Sequence, residues 1–172
     1  MFLFLPTIIL RHRKENLKKC SLRGLEERSD FRFFTYPCEE LPDLSSYVLL
    51  TLDAPPLTEA DGDKGIFLID GTWRYTALMQ KQLPKPDLFE RRSLPGGFQT
   101  AYPRRQEDCP NPSEGLASIE ALFVAHLTLK RSTEGLLDHF YWKEDFLKKN
   151  NVYQDLTRTG SFPLAESLPK RT

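Results

Sequence analysis

The sequence predicts an α/β domain with a mainly parallel β-sheet and flanking helices. Strand-like apolar runs alternate with helical patterns along the chain, and this order favours parallel strands joined by helical crossovers. One run, residues 66–69 (IFLI), is continuously apolar, as expected of a central strand buried on both faces. The 172 residues are enough for one domain with a substantial core, which we expect over residues 1–150.

Three further strands are expected before that central one. Residues 2–10 form an apolar run that is too short to cross a bilayer. Positive charges follow this run instead of preceding it, and no small-residue cleavage site comes after, so we interpret it as a buried first strand and not as a signal peptide. Residues 31–36 and 47–52 are rich in aromatic and β-branched side chains, which favours strands.

Helical patterns separate and follow these strands. We predict a short helix around residues 15–27, interrupted near Gly24, and a second helix over residues 72–83 that Pro84 stops. A last helix is expected over residues 133–149, where large apolar side chains recur.

The remaining helix is expected over residues 113–131, with Ser113 as its N-cap. Apolar side chains surround most of this helix, which indicates that it is largely buried. His126 lies among them, and we interpret it as a core histidine with a satisfied ring. The stretch 88–112 is rich in proline and glycine and is predicted to form active-site loops. Residues 151–172 show no clear period and are expected to form a C-terminal tail.

The composition excludes some classes of function. The formal net charge is +0, so overall charge does not argue for nucleic-acid binding, although a local basic patch stays open. Cys20, Cys38 and Cys109 form no pair with zinc-ligand spacing, and wide spacing is typical of free thiols in a reducing cytosol. We therefore expect a cytoplasmic protein without a metal centre. No G-x-G-x-x-G follows a strand, which argues against a nicotinamide dehydrogenase.

Two short segments point to chemistry. The central strand ends at Asp70, and ligands of open α/β sheets bind at the carboxyl ends of strands. Asp70 is thus a candidate catalytic or ligand-orienting carboxylate beside the flat surface of Trp73, unless Asp70 and Thr72 only cap a helix and Trp73 fills the core. In residues 115–121 (GLASIEA), early helical N–H groups are able to hold a carboxylate. Spacing alone favours a simple capped helix for that second segment.

Several motifs resemble those of one enzyme family. The string at 70–73 (DGTW) resembles the D-x-[ST]-W signature of DTW-domain aminocarboxypropyltransferases, and 116–121 (LASIEA) resembles their L-S-[TC]-x-E-A element. Residues 18–21 (KKCS) and 57–61 (LTEAD) resemble the K-K-C-[ST] and L-S-P-A-D segments of the ribosomal-RNA branch. Residues 92–95 (RSLP) and 100–103 (TAYP) fall where that family has R-x-L-P and A-A-N-P, and the resemblance covers roughly residues 7–130.

The resemblance implies a fold and an activity. The family has a SPOUT-like α/β fold with a C-terminal trefoil knot that binds S-adenosylmethionine. Its members transfer the 3-amino-3-carboxypropyl group to N3 of a uridine or pseudouridine, in small-subunit ribosomal RNA in one branch and in transfer RNA in the other. The sequence departs from the ribosomal branch at two residues. Gly71 stands where that branch usually has cysteine, and Tyr102 stands where it usually has asparagine. The N-Y-G that follows in the family is missing from this sequence.

The resemblance also implies a set of site residues. Asp70 matches the family carboxylate, which we predict to be the general base for the N3 proton. Trp73 matches the tryptophan that packs on the methionine part of the cofactor. The predicted cofactor-binding residues are Ser21, Leu50, Thr51, Asp70, Trp73, Leu94, Leu116 and Ser118.

Binding of structured RNA needs basic side chains near this pocket. The candidates are Arg11, Arg13, Lys14, Lys18, Lys19, Arg23, Arg74, Arg91, Arg92, Arg104 and Arg105. The alternative for each is a solvated surface charge. We expect a monomer that binds no membrane. Three other functions stay open: modification of transfer RNA, a SPOUT-type RNA methyltransferase, and a non-catalytic RNA-binding assembly factor.

Overall fold

The computed structural model describes residues 4–37, 40–83, 89–103 and 115–152. Five strands form one parallel sheet in the order β2-β1-β4-β3-β5. The strands are β1 (Thr7–His12), β2 (Phe31–Tyr36), β3 (Tyr47–Leu50), β4 (Gly65–Asp70) and β5 (Glu90–Arg92). The α/β class with a parallel sheet is therefore confirmed, and the apolar run at 66–69 is the central strand, as predicted.

Three α-helices and one 3-10 helix lie in the described part of the chain. They are the 3-10 helix Glu59–Asp61, α1 (Trp73–Lys81), α2 (Ser118–Thr128) and α3 (Lys143–Lys149). The predicted helix at 72–83 is confirmed as α1. α2 begins later than expected, and its proposed cap Ser113 lies outside the described residues. None of the described helices is long and apolar enough to cross a membrane.

Three expectations are wrong. Residues 15–27 form successive turns instead of a helix, because Gly24 has φ +92° and its missing side chain admits the His139 ring. Residues 133–140 also form turns, with Gly135 at φ +74°. β5 was not predicted, because its sequence Glu-Arg-Arg lacks the apolar pattern of a strand.

The sheet separates two clusters of buried side chains. Ile9 belongs to the cluster that α2 and α3 cover, whereas Ile8 and Leu10 belong to the one that α1 covers. This alternation follows from the period of two along a strand. The register also pairs Arg11 with Asp70 on neighbouring strands, so two charged groups meet on the α2 side of the sheet.

Candidate functional site

A cavity of about 740 Å³ lies at the carboxyl edge of the sheet. Its walls come from the ends of β3 and β4, the first turns of α1, the stretch 91–102 and the beginning of α2. Ligands of parallel sheets bind at this edge, and the volume is that of a small-molecule site. The cavity is therefore the candidate functional site.

The cavity gathers six of the eight predicted cofactor-binding residues. They are Leu50, Thr51, Trp73, Leu94, Leu116 and Ser118. Ser21 and Asp70 do not line it. Both lie behind the wall at the N-terminal end of α2, where Ser21 Oγ accepts a hydrogen bond from the Ile119 N–H (3.3 Å).

The start of α1 presents a tryptophan to the cavity. Thr72 occupies the N-cap position but makes no side-chain capping bond. Trp73 is half-buried and lines the cavity together with Gly71. The alternative interpretation of the sequence, in which Thr72 only caps the helix and Trp73 fills the core, does not describe this structure.

Asp70 is buried beneath the cavity, 4% exposed. Its Oδ1 accepts a hydrogen bond from Ser118 Oγ (2.7 Å), and its Oδ2 accepts one from Arg11 Nε (3.1 Å). The Cys20 thiol donates a third bond to Oδ2 (3.4 Å). Burial, with a smaller contribution from the Asp70 charge, raises the pKa of Cys20 to about 12, so the thiol stays protonated. Both carboxylate oxygens therefore accept hydrogen bonds from other side chains of the protein.

These contacts bear on two predictions. A general base must reach the proton it removes; Asp70 is not among the residues that line the cavity, and its oxygens accept bonds from Ser118, Arg11 and Cys20, so its role as the general base stays a prediction. Arg11 was a candidate for RNA phosphate, but it is 8% exposed. Its guanidinium binds Asp70 and Glu26 and lies over the Phe33 ring (4.6 Å). Arg11 thus stabilises the interior.

Glu120 fastens the loop wall of the cavity to α2. Its carboxylate accepts hydrogen bonds from Thr100 Oγ1 (2.7 Å) and from the N–H groups of Ala101 and Ala117 (both 2.8 Å). The side chain is fully buried. Burial raises its pKa, although these three bonds favour the charged form. Glu120 therefore caps its own helix, as expected of a simple capped helix, and it also positions the loop.

The predicted RNA-binding residues other than Arg11 divide into four groups. Arg74 and Arg91 line the cavity, and neither has an ion-pair partner among the described residues. Arg92 was predicted alongside them, but it binds the buried Asp61 (3.0 Å) and Glu90 (3.3 Å), so its guanidinium is not free for phosphate. The exposed members away from the cavity lining are Arg13, Lys14, Lys18, Lys19 and Arg23. Arg104 and Arg105 lie outside the described residues.

Sequence reasoning missed two features of the cavity. Asp53, just after β3, is exposed and is the only carboxylate that lines the cavity in the described part of the chain. The rule that ligands meet strand ends would have found it. The Thr51 hydroxyl is buried and has no hydrogen-bond partner in the part of the chain that the structure describes, which a sequence pattern does not show.

The remaining polar candidates are structural. His126 is buried, and its Nδ1 lies 3.0 Å from the Ser132 carbonyl oxygen. Burial lowers its pKa to about 4. The prediction of a core histidine is confirmed, but its ring is only half satisfied, because Nε2 has no partner. Cys20 is a free thiol, whereas Cys38 and Cys109 lie outside the described residues. Within the described ranges, no group of three or more metal-ligating side chains comes together.

Comparison with known proteins identifies a structural neighbour. No family model matches the chain, and curated proteins give no significant match. Among solved structures, the chain is similar to the SAM-dependent rRNA:acp-transferase Tsr3 from Vulcanisaeta distributa, with a TM-score of 0.64 and 21% sequence identity. The similarity covers 92% of this chain and 86% of that one. It shows a shared α/β fold.

Proposed function

We propose that the chain transfers a 3-amino-3-carboxypropyl group from S-adenosylmethionine to N3 of a uridine or pseudouridine in RNA. The observation that supports this most directly is the meeting of six predicted cofactor residues in one cavity. The neighbour, itself a SAM-dependent rRNA:acp-transferase, favours small-subunit ribosomal RNA over transfer RNA as the substrate. The proposal includes the C-terminal trefoil knot, the single domain at 1–150, a monomeric state and a cytoplasmic location, all of which stay predictions.

The cavity fits a nucleoside cofactor. Its volume of about 740 Å³ falls within the range of roughly 300–1,000 Å³ for small-molecule sites. Leu50, Leu94 and Leu116 provide apolar walls for an adenine ring. The buried, unpartnered Thr51 hydroxyl is a polar group that a ligand would satisfy. The first turn of α2 adds N–H groups and a positive helix end for a carboxylate.

The residues of the cavity would orient the cofactor. S-adenosylmethionine supplies an electrophilic carbon next to its sulfonium, from which the aminocarboxypropyl group is transferred. Trp73 offers a flat face that packs against the methionine part and shields the methyl group. Correct orientation of the reacting carbon lowers the activation barrier, by on the order of 7–11 kcal/mol in favourable systems.

Asp70 and Asp53 take different roles in this proposal. Asp70 holds Ser118 through a 2.7 Å hydrogen bond, so it positions the first turn of α2, which contacts the cofactor. Asp53 lines the cavity, and its carboxylate is therefore the candidate acceptor for the N3 proton. Such assistance contributes roughly 10²–10⁴-fold to a rate.

Mass spectrometry of the product tests the proposal. The purified chain is incubated with S-adenosylmethionine and unmodified small-subunit ribosomal RNA, with transfer RNA in a parallel reaction. We expect an aminocarboxypropyl adduct on a uridine-type base of the ribosomal RNA and release of methylthioadenosine. A methyl adduct with S-adenosylhomocysteine would identify a methyltransferase instead, and an adduct confined to transfer RNA would change the substrate. If calorimetry detects no binding of S-adenosylmethionine while the chain still binds RNA, the chain is a non-catalytic RNA-binding protein.

A further inference from the structure

A row of aromatic rings joins the cavity to the solvent. Tyr102 lines the cavity, and its ring meets the Trp142 ring edge-on, with centroids 5.0 Å apart at 82°. The Trp142 ring in turn lies 5.1 Å from the Tyr141 ring at 74°. Tyr141 is 87% exposed. We refer to Tyr102, Trp142 and Tyr141 as the aromatic ridge.

The aromatic ridge rests on the core. Phe140 is buried, and its ring lies 6.0 Å from Trp142 and 6.3 Å from Tyr102. An exposed aromatic residue is by itself ordinary on a protein surface. Tyr141 differs because its ring contacts the Trp142 ring. This contact already restricts the Tyr141 side chain, so binding a ligand on its flat face costs little further side-chain entropy.

Two lysine side chains lie near one end of the aromatic ridge. The Tyr102 hydroxyl donates a hydrogen bond to the Lys19 carbonyl oxygen (3.0 Å). This contact attaches the ridge to a turn that exposes Lys18 and Lys19. Neither ammonium group has an ion-pair partner in the part of the chain that the structure describes. The ridge therefore has unpaired lysines at its cavity end.

The other end is not basic. Lys143 is paired with Asp138 (3.1 Å), and the exposed Glu144 and Asp145 begin α3. A phosphate is therefore favoured beside Lys18 and Lys19 and disfavoured beside Tyr141. The Tyr141 end of the ridge therefore favours an uncharged, flat group of a ligand.

We propose that the aromatic ridge binds the single-stranded RNA nucleotide next to the one that enters the cavity. The base of this neighbouring nucleotide stacks on Tyr141, and Lys18 and Lys19 hold the phosphate between the two. Stacking on aromatic rings beside lysine-bound phosphates is how proteins bind unpaired RNA. The proposal rests on the proposed function, because it takes the cavity as the place of the target base. Tyr102, where the resembled family has asparagine, makes the ridge a feature of this chain.

RNA affinity of matched variants tests the proposal. The full chain is titrated with a fluorescently labelled RNA hairpin that has a uridine-rich loop. Tyr141→Leu keeps an apolar side chain but removes the ring, and we expect binding to weaken about 5- to 50-fold, as stacking on one ring predicts. Tyr141→Phe restores the ring and should rescue the affinity. Leu78→Ala, which trims another exposed apolar side chain on α1, is the control for general loss of surface.

The outcomes separate this inference from the proposed function. Parent-like RNA affinity of Tyr141→Leu would overturn the role of the aromatic ridge, and an equal loss in Leu78→Ala would do the same. Calorimetry with S-adenosylmethionine is run on each variant. If the parent chain does not bind the cofactor, the proposed function fails, but the hairpin titration still decides the ridge.

Discussion

Charged side chains beneath the cavity differ sharply from those at its rim. Arg11 and Asp70 lie beneath it, where each is under 10% exposed and both are joined in one hydrogen-bonded network with Ser118. Arg74 and Arg91 line the cavity at the rim and have no carboxylate partner among the described residues. Both sets contain arginine, but the surroundings of the guanidinium groups are opposite.

The difference shows that a strand-end charge has no fixed role. A buried charge must be paired because removal from water costs several kcal/mol, and a paired charge has nothing left to offer a ligand. An unpaired rim charge contributes little to stability and stays available. We therefore expect substitutions beneath the cavity to change folding and substitutions at the rim to change turnover and RNA affinity.

The largest expected effect is that of Arg11→Met. The substitution leaves the buried Asp70 carboxylate without its ionic partner, which costs roughly 3–5 kcal/mol of unfolding free energy. The loss is measured as a fall in the urea concentration at the midpoint of unfolding, with the slope of unfolding free energy against urea concentration unchanged. The double variant Arg11→Met, Asp70→Asn removes both charges and should recover most of the loss. A loss below about 1 kcal/mol for the single variant would mean that the pair behaves like a surface pair.

Asp53→Asn should lower turnover about 10²–10⁴-fold, because it removes the proposed proton acceptor from the rim. Its unfolding free energy should stay within about 0.5 kcal/mol of the parent, as for other exposed positions. Asp70→Asn is the matched comparison, for which we expect loss of stability and weaker cofactor binding. If Asp53→Asn keeps full turnover in single-turnover kinetics, Asp53 has no part in the reaction.

His126 gives the interior a pH dependence that the rim lacks. The unfolded chain binds a proton near the ordinary pKa of 6.5, whereas the buried ring binds one only near 4. Stability is therefore complete above the unfolded value and is lost as pH falls toward 4, by about 3 kcal/mol in total. Glu120, whose pKa is raised, opposes this because its contribution is lost as pH rises.

The comparison of parent and His126→Gln across this pH range isolates the histidine. We expect the variant to unfold with a flatter dependence of the urea midpoint on pH. Identical slopes for the two proteins would contradict a neutral buried ring.

The smallest effects are expected for Arg74→Gln and Arg91→Gln. Each substitution should reduce the slope of log affinity against log salt by about 0.7 for unpaired RNA, because one phosphate contact is lost. Arg92→Gln is a close control, since Arg92 is tied to the buried Asp61 and should mainly alter stability. Unchanged salt slopes for both rim variants would remove these arginines from the RNA interface.

Four of the five strands and the signature segment were predictable because local pattern decides them. The apolar run before Asp70 had to be a central strand, and Thr72 and Trp73 had to begin a helix. Turns with distant contacts were not predictable: the His139 ring lies where a side chain at position 24 would be, and the sequence does not show this approach. The partners of Asp70 were not predictable for the same reason: only the register that sets Arg11 beside it shows which group its carboxylate binds.

The loop at 98–102 has a consequence for ligand exchange. Asn150 binds both the N–H (2.7 Å) and the carbonyl (2.9 Å) of Gln99, and Glu120 holds the next two residues. Swinging this wall outward would break all of these bonds at once. We therefore expect this wall to stay in place during ligand exchange, and the amide protons of Gln99 and Ala101 should exchange slowly with deuterium.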